Sequence, residues 1–237
     1  MPAIKPRARR LIALATAYLN DPRRRGVPLV AVPPCYWVVD RLGQGSVMID
    51  MGLGFDADFS QAMIARFGLT SYGYDPTRKH LPALQAIAAG SGGRFHVQPA
   101  AISPKPGTAQ FYESRENVSG SLMAEHPNVR NDAVDTYDVQ LLTLAEVFDR
   151  CPHGRADLVK MDIEGSEYEV LESVDDEVLR RADQWVIEYH HDMTSRLTFA
   201  RTLEHIRRFA RLGYQSYTRD NVNFLFYAEA GERMKRE

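Results

Sequence analysis

The sequence predicts an α/β fold, a mostly parallel sheet flanked by helices and closed at its C-terminal end by an antiparallel hairpin. Three observations carry the prediction. From residue 46 onward, short apolar runs alternate with helical patterns, as in a parallel sheet. Four of those runs end in an acid, Asp50, Asp75, Asp162 and Glu188. In open parallel sheets, ligands bind beyond the carboxyl ends of the strands. The last two extended runs lie only a few residues apart, and strands so close must pair antiparallel.

Ser46 to Asp50 reads as the first strand, followed by a glycine-containing turn and a helix through Gln61 to Arg66. Thr70 to Asp75 is the second strand, and Leu81 to Ala89 a helix ended by Gly90. Arg94 to Gln98 is the third. Pro104, Pro106 and Gly107 punctuate the chain before a short extra strand, Thr108 to Glu113. Val134 to Leu142 mixes β-branched and apolar residues, and Thr143 then caps a short helix ending near Arg150. Leu158 to Asp162 is the next strand, with a helix from Gly165 to Leu171, and Gln184 to His190 is the fifth principal strand. The helix after it sets Phe199, Leu203, Ile206 and Ala210 on one stripe, with Gly213 at its C-terminal end. Tyr214 to Thr218 and Asn223 to Tyr227 form the closing hairpin.

Composition narrows the functional classes. The 237 residues are 44% hydrophobic and 25% charged, ordinary globular usage rather than that of a disordered or fibrous chain. A formal charge of −2 gives no broad basic field for nucleic acid or an anionic bilayer. Two cysteines, Cys35 and Cys151, cannot build a disulfide framework, so a reducing cytoplasm is expected. No apolar run approaches the length of a membrane span. Charge is nonetheless uneven, because residues 1–25 carry seven basic groups against Asp21 alone. Leu11, Ala15 and Leu19 recur at helical spacing, which predicts an amphipathic surface helix. The expected organisation is an N-terminal helical extension over residues 1–45 and one α/β domain over 46–237.

The first turn, Asp50-Met-Gly52-Leu-Gly54-Phe-Asp56-Ala57, lets the backbone turn tightly and approach a ligand closely. It also fits the loose dinucleotide pattern, and Asp75 stands near the offset at which an acid binds a ribose diol. Two ligands compete for this pocket. A nicotinamide dinucleotide would set its pyrophosphate over the turn, where Asp50 and Asp56 repel it. S-adenosylmethionine (SAM) has no phosphate and offers an ammonium that Asp50 would match. SAM fits better, and an NAD-dependent oxidoreductase of Rossmann type is the alternative.

These residues resemble the FkbM-type SAM-dependent methyltransferases, from about Val47 to Tyr227. The most specific element is Lys160-Met-Asp162-Ile-Glu164-Gly165-Ser-Glu167, similar to the family's Lys-x-Asp-x-Glu-Gly-x-Glu signature. Tyr72-Gly-Tyr-Asp75-Pro76, Ala101-Ile-Ser103 and Val118-Ser-Gly-Ser-Leu122 resemble the family's second-strand ending, third-strand region and active-site loop. Trp185-Val-Ile-Glu188 resembles its fifth strand, and the terminal hairpin is the usual ending of such enzymes. Leu53, Gly54 and Asp56 depart from the usual first turn, and Asp75 replaces the more frequent Glu. The resemblance implies a Rossmann-like class I methyltransferase sheet, SAM as cofactor, and O-methylation of a hydroxyl on a small-molecule, sugar or natural-product acceptor. It implies Asp50, Gly52, Gly54, Asp75, Pro76, Ala101 and Asp162 as cofactor-binding residues. Neither nucleic acid nor membrane is an expected partner; a homodimer is left open, as is a non-catalytic SAM-binding module.

Asp162, Glu188 and His190 are the candidate catalytic residues. Glu188 and His190 are two apart on the expected strand and so share a face. His190 is suited to take a proton from an acceptor hydroxyl, because its ordinary pKa lies near working pH. Alternatively, Asp162, Glu188 and His190 hold a divalent metal, a reading ranked second because Mg²⁺ prefers carboxylates and water to imidazole. Glu164 and Glu167 also suit a helix first turn without any catalytic role. Lys160, inside an apolar strand, needs a partner, and a strand-end carboxylate on a neighbour supplies one. His80, His96, His126, His153 and His205 show no constellation. Tyr36 and Trp37 either line the substrate mouth or pack the core.

Overall fold

The computed structural model describes residues 21–229. In chain order, β1 (Leu29–Val32) and β2 (Tyr36–Val39) form a hairpin after a short 3₁₀ turn at Pro22–Arg25. Next come β3 (Val47–Met51), α1 (Asp58–Phe67), β4 (Thr70–Tyr74), α2 (Leu81–Gly90) and β5 (Phe95–Gln98). Three strands and a one-turn helix follow, β6 (Ala100–Ile102), β7 (Gly107–Ser114), β8 (Gly120–Ser121) and α3 (Pro127–Arg130). β9 (Val134–Leu142), α4 (Leu144–Asp149), β10 (Ala156–Met161), α5 (Glu167–Ser173) and α6 (Asp176–Leu179) lead to β11 (Ala182–Glu188). α7 (Phe199–Arg211), β12 (Tyr214–Thr218) and β13 (Asn223–Ala228) complete the order.

Seven strands form the main sheet in the order β12-β13-β11-β10-β3-β4-β5. The five from β11 to β5 run parallel, and β13 and β12 are antiparallel, as two strands joined by so short a turn must be. The strand-end acids therefore fall along one edge. Asp50 stands in register with Lys160, so the lysine has a carboxylate neighbour on the adjacent strand.

One face of the sheet buries Ile49, Met51, Val159, Trp185 and Phe226 under α4, α5 and α7. The other buries Met48, Leu158, Val186 and Leu225 against α1 and the β1–β2 hairpin, which contributes Val30, Val38 and Val39. Gln184 ties the hairpin down, accepting from Val39 N at 2.7 Å and donating to Val39 O at 3.2 Å. Thr143 caps α4 as expected, in a full capping box with Glu146. Gly213, at φ +88°, follows the end of α7 in the left-handed region that glycine tolerates.

Several expectations need correction. The described part of the expected helical extension, residues 21–45, holds the 3₁₀ turn and the hairpin and no α-helix; the helix expected over Leu11–Leu19 lies outside the described residues. Strands within residues 100–142 form a second sheet, ordered β6-β9-β7-β8, in place of isolated extra strands. Its β7–β9 ladder runs from Gly107↔Leu141 to Ser114↔Val134, pairings between residues distant in sequence. The stripe on α7 is also displaced, since Phe199 and Leu203 are exposed while Thr202, His205 and Phe209 face inward. The inward face is chosen by its partners. Phe209 stacks on Phe226 at 4.2 Å, and Thr202 pairs its hydroxyl with the buried Tyr168 hydroxyl at 2.9 Å. Among the described residues, no helix is long and apolar enough to cross a membrane.

Candidate active site

The glycine turn after β3 is built for close approach. Gly52 sits at φ +84°, and a Cβ there would lie 1.7 Å from the Asp162 carbonyl oxygen. Only glycine lets the two strand ends come this near. Asp75, buried at the end of β4, closes the turn from the other side. Its Oδ2 accepts from the amides of Leu53 and Gly54, each at 3.1 Å, and lies 3.2 Å from His80 Nδ1. Its Oδ1 accepts from Thr77 N at 2.8 Å and retains a lone pair. Asp50 does not line the cleft. It is buried beneath the turn, accepts from Ser60 Oγ at 2.6 Å, and lies 3.9 Å from the Lys160 ammonium. Burial pushes its carboxyl up to about 6.

Above these strand ends lies an open cleft of about 720 Å³ including its mouth. Gly52, Gly54, Asp75, Pro76, Ala101 and Asp162, six of the seven residues expected to bind cofactor, line it. Phe111, Leu122 and the exposed Val118 supply an apolar wall from the second sheet and its loop. These residues suit SAM, with an acid carrying a spare lone pair for a ribose hydroxyl and an apolar slot for an adenine ring.

At the cleft's other end the charged groups converge. Lys160 Nζ donates to Asp162 Oδ2 at 3.0 Å and to Gly52 O at 2.7 Å, supplying the cation that clustered carboxylates require. Burial works against charge on both partners. The nearby Asp162 and Asp50 nevertheless raise Lys160, and Lys160 and His190 hold Asp162 below the usual carboxylate range. Tyr36, reaching in from β2, donates to Glu188 Oε2 at 2.7 Å and lies 3.3 Å from Asp162 Oδ2. Burial and the two carboxylates push its phenol far up, so it stays a donor. Tyr36 thus belongs to the site and not merely to the core.

β11 ends at Glu188, so the alternation expected to put Glu188 and His190 on one strand face does not extend that far. The loop still brings them together. His190 Nδ1 bonds Glu167 Oε1 at 2.9 Å, and Nε2 lies 3.7 Å from Asp162 Oδ1 and 3.5 Å from Glu164 Oε2. Burial alone would lower this imidazole, but Glu167, Asp162 and Glu164 together raise it to about 10. The three carboxylates thus favour the protonated imidazole, which works against the expected role of His190 as the base. Glu167, fully buried, is fixed by the amides of Ile163 and Gly165.

Glu164 is the residue whose place the sequence did not reveal. The helix starts at Glu167 rather than Gly165, so Glu164 is no first-turn acid; its backbone is left-handed at φ +52° and it lines the cleft. Burial raises its carboxyl. Ser119 Oγ donates to its Oε1 at 2.7 Å and Ser121 Oγ to its carbonyl at 3.0 Å, which fastens the active-site loop to the strand end. His126, fully buried, sets Nε2 3.2 Å from Glu164 Oε2, and burial followed by His190 lowers its pKa. The signal available was the Glu164-Gly165 pair, in which glycine at φ +100° permits the reversal before α5.

The Methyltransferase FkbM domain model matches residues 59–216, more than half of the chain. No curated protein matches the sequence significantly. Among solved structures, the methyltransferase FkbM from Methylobacillus flagellatus KT is 17% identical, with a TM-score of 0.53 over 95% of this chain and 55% of that one. Monomeric WbdD is 12% identical, with a TM-score of 0.43 over 93% of this chain and 41% of its own. The precorrin-6y C5,15-methyltransferase from Geobacter metallireducens GS-15 is 12% identical, with a TM-score of 0.41 over 95% of this chain and 90% of its own. The chain spans about half the length of the first two. The likeness to the first concerns the fold, and the family match runs from α1 into β12 across Asp75, Asp162, Glu164, Glu188 and His190. The chain belongs to the FkbM methyltransferase family.

Proposed function

We propose that the protein transfers a methyl group from SAM to a hydroxyl of a small-molecule acceptor, such as a sugar or natural product. The observation that carries this reading is Asp75. Its carboxylate already occupies the Leu53 and Gly54 amides that a pyrophosphate would need. A dinucleotide phosphate would meet an anion there instead of free N–H groups, which argues against the nicotinamide alternative. A ribose hydroxyl, being a donor, suits Asp75 Oδ1.

SAM, when bound, supplies an electrophilic methyl on a sulfonium. The chain's own part is to hold the acceptor oxygen in line with it and to accept a proton. Asp162 and Glu164 line the cleft, and Glu164, raised by burial, is the better matched proton acceptor. His190 is placed to orient both carboxylates, and Glu167 to hold His190. Lys160 keeps Asp162 ionised beside the glycine turn. A chain charge of −2 with no basic field supports a small acceptor over a nucleic acid.

Calorimetry with SAM and with NADH tests the cofactor, and mass spectrometry of a hydroxyl-bearing acceptor panel with labelled SAM tests the transfer. SAM heat and a labelled ether are expected. NADH heat without SAM heat would overturn the reading, and SAM heat without any methyl transfer would favour a binding module.

A further inference from the structure

Asp162, Glu188 and His190 each use one side-chain atom inside the protein and leave another unbonded. Asp162 gives Oδ2 to Lys160 and Tyr36, Glu188 gives Oε2 to Tyr36, and His190 gives Nδ1 to Glu167. No hydrogen bond among the described residues engages Asp162 Oδ1, Glu188 Oε1 or His190 Nε2. One potential ligand atom from each residue lies within 4.8 Å of the other two. His190 is only 6% exposed, and its Nε2, which makes no hydrogen bond, faces Asp162 Oδ1 at 3.7 Å.

We propose that Asp162, Glu188 and His190 bind one divalent transition-metal ion, Mn²⁺ by preference, at the acceptor end of the cleft. Ligands about 2.1 Å from an ion and at right angles lie roughly 3.0 Å apart. The 3.7 Å between His190 Nε2 and Asp162 Oδ1 therefore needs a closure of under about 1 Å. The second layer has the form that metal ligands require. Buried Glu167 accepts a hydrogen bond from Nδ1–H and so leaves Nε2 turned inward, while Lys160 and Tyr36 fix the two carboxylates. Charge leaves room for a further cation, since Asp50 and Asp162 lie beside the Lys160 ammonium, Glu164 and Glu167 lie beside His190, and Glu188 meets only the Tyr36 hydroxyl. One imidazole with two carboxylates suits Mn²⁺ better than Mg²⁺ or Ca²⁺. Three protein ligands leave open positions facing the cleft that Asp162 lines. Within the methyl-transfer reading, on which this point alone rests, an acceptor hydroxyl would occupy one of them and bind as a Lewis base.

The test uses the full chain, stripped with chelator, and needs no acceptor. Titration with MnCl₂ followed by electron paramagnetic resonance should give one ion per chain with a Kd below about 100 μM. Glu188→Gln and His190→Ala should each weaken it at least about tenfold. Spin-echo modulation of the bound ion in the unsubstituted protein should show one directly coordinated imidazole nitrogen, so the answer does not depend on a variant folding. Absence of that nitrogen signal, no binding at about 1 mM, or affinity unchanged in both variants would overturn the site. SAM calorimetry on the stripped protein separates the two readings. Retained SAM heat without Mn²⁺ binding removes the metal and leaves methyl transfer standing.

Discussion

Replacing Asp75 by alanine removes the one carboxylate that joins the glycine turn to the end of β4. The amides of Leu53, Gly54 and Thr77 lose their acceptor, and His80 Nδ1 loses its neighbour. Hydrogen bonds to a charged group contribute about 1.5–3 kcal/mol each, and buried orphan donors add their desolvation cost. The cleft is open, so water can re-bond part of this set, and the net loss should be about 3–5 kcal/mol. For a chain of this size each kcal/mol lowers the melting temperature by about 2–4 °C, so a fall on the order of 10 °C is expected. Urea unfolding should show the loss as a lower midpoint with an unchanged slope. SAM affinity should fall by a further one to three kcal/mol, about 5- to 150-fold, as the ribose loses a charged acceptor. Asp75→Asn, which keeps one acceptor oxygen for the turn, should recover most of the stability and little of the affinity. Unfolding of Asp75→Ala within about 1 kcal/mol of the parent would show that the turn holds itself, refuting this account of the pocket.

Gly52→Ala forces a Cβ against the Asp162 carbonyl at a left-handed backbone position; a stability loss above about 3 kcal/mol, or insoluble protein, is expected, and near-native melting would contradict the close approach. Tyr36→Phe strips the hydrogen bond from Glu188 and should cost about 1–3 kcal/mol in urea unfolding, together with lower turnover at unchanged SAM affinity. Burial lowers His205 to about 4, whereas the unfolded chain takes its proton near 6.5. Unfolding is therefore favoured as pH falls from 6.5 toward 4, by on the order of 2–3 kcal/mol when fully developed. A His205→Leu variant should unfold with a shallower dependence on pH across that window, and an unaltered profile would discount the effect. Asp162→Asn should abolish turnover, because it loses the charge that Lys160 and His190 both face.

What could be read from the sequence was mostly local. The acids Asp75, Asp162 and Glu188, the Thr143 cap and the closing hairpin depend on residues a few positions apart, and each stands where its spacing implied, whereas Asp50 lies inside β3 beneath the turn. The glycine turn and Asp75 were legible for the same reason, although Asp75's grip on the turn amides was not. The second sheet was hidden because its ladder is decided by packing between distant segments, with alternation too weak to specify partners. The buried stripe of α7 was misread because hydrophobicity was weighed above the need to pair the Tyr168 hydroxyl. Tyr36 reaches residues 126 and 152 positions away, a distance that no periodicity spans. Glu164 was obscured by a helix that begins two residues later than its pattern suggested.

The left-handed backbone of Glu164 has a consequence for how this enzyme can be improved. A β-carbon in that conformation costs roughly 1–2 kcal/mol, and glycine would avoid it. The side chain keeps its place by holding Ser119 and facing the cleft, so part of the fold's stability is forgone to put a carboxylate there. If Glu164 is the proton acceptor proposed above, selection for thermal tolerance alone would be drawn toward glycine at this position and would remove that acceptor. On that reading, directed evolution of the protein needs activity in its screen from the first round, since backbone strain and proton transfer would make opposite demands at position 164.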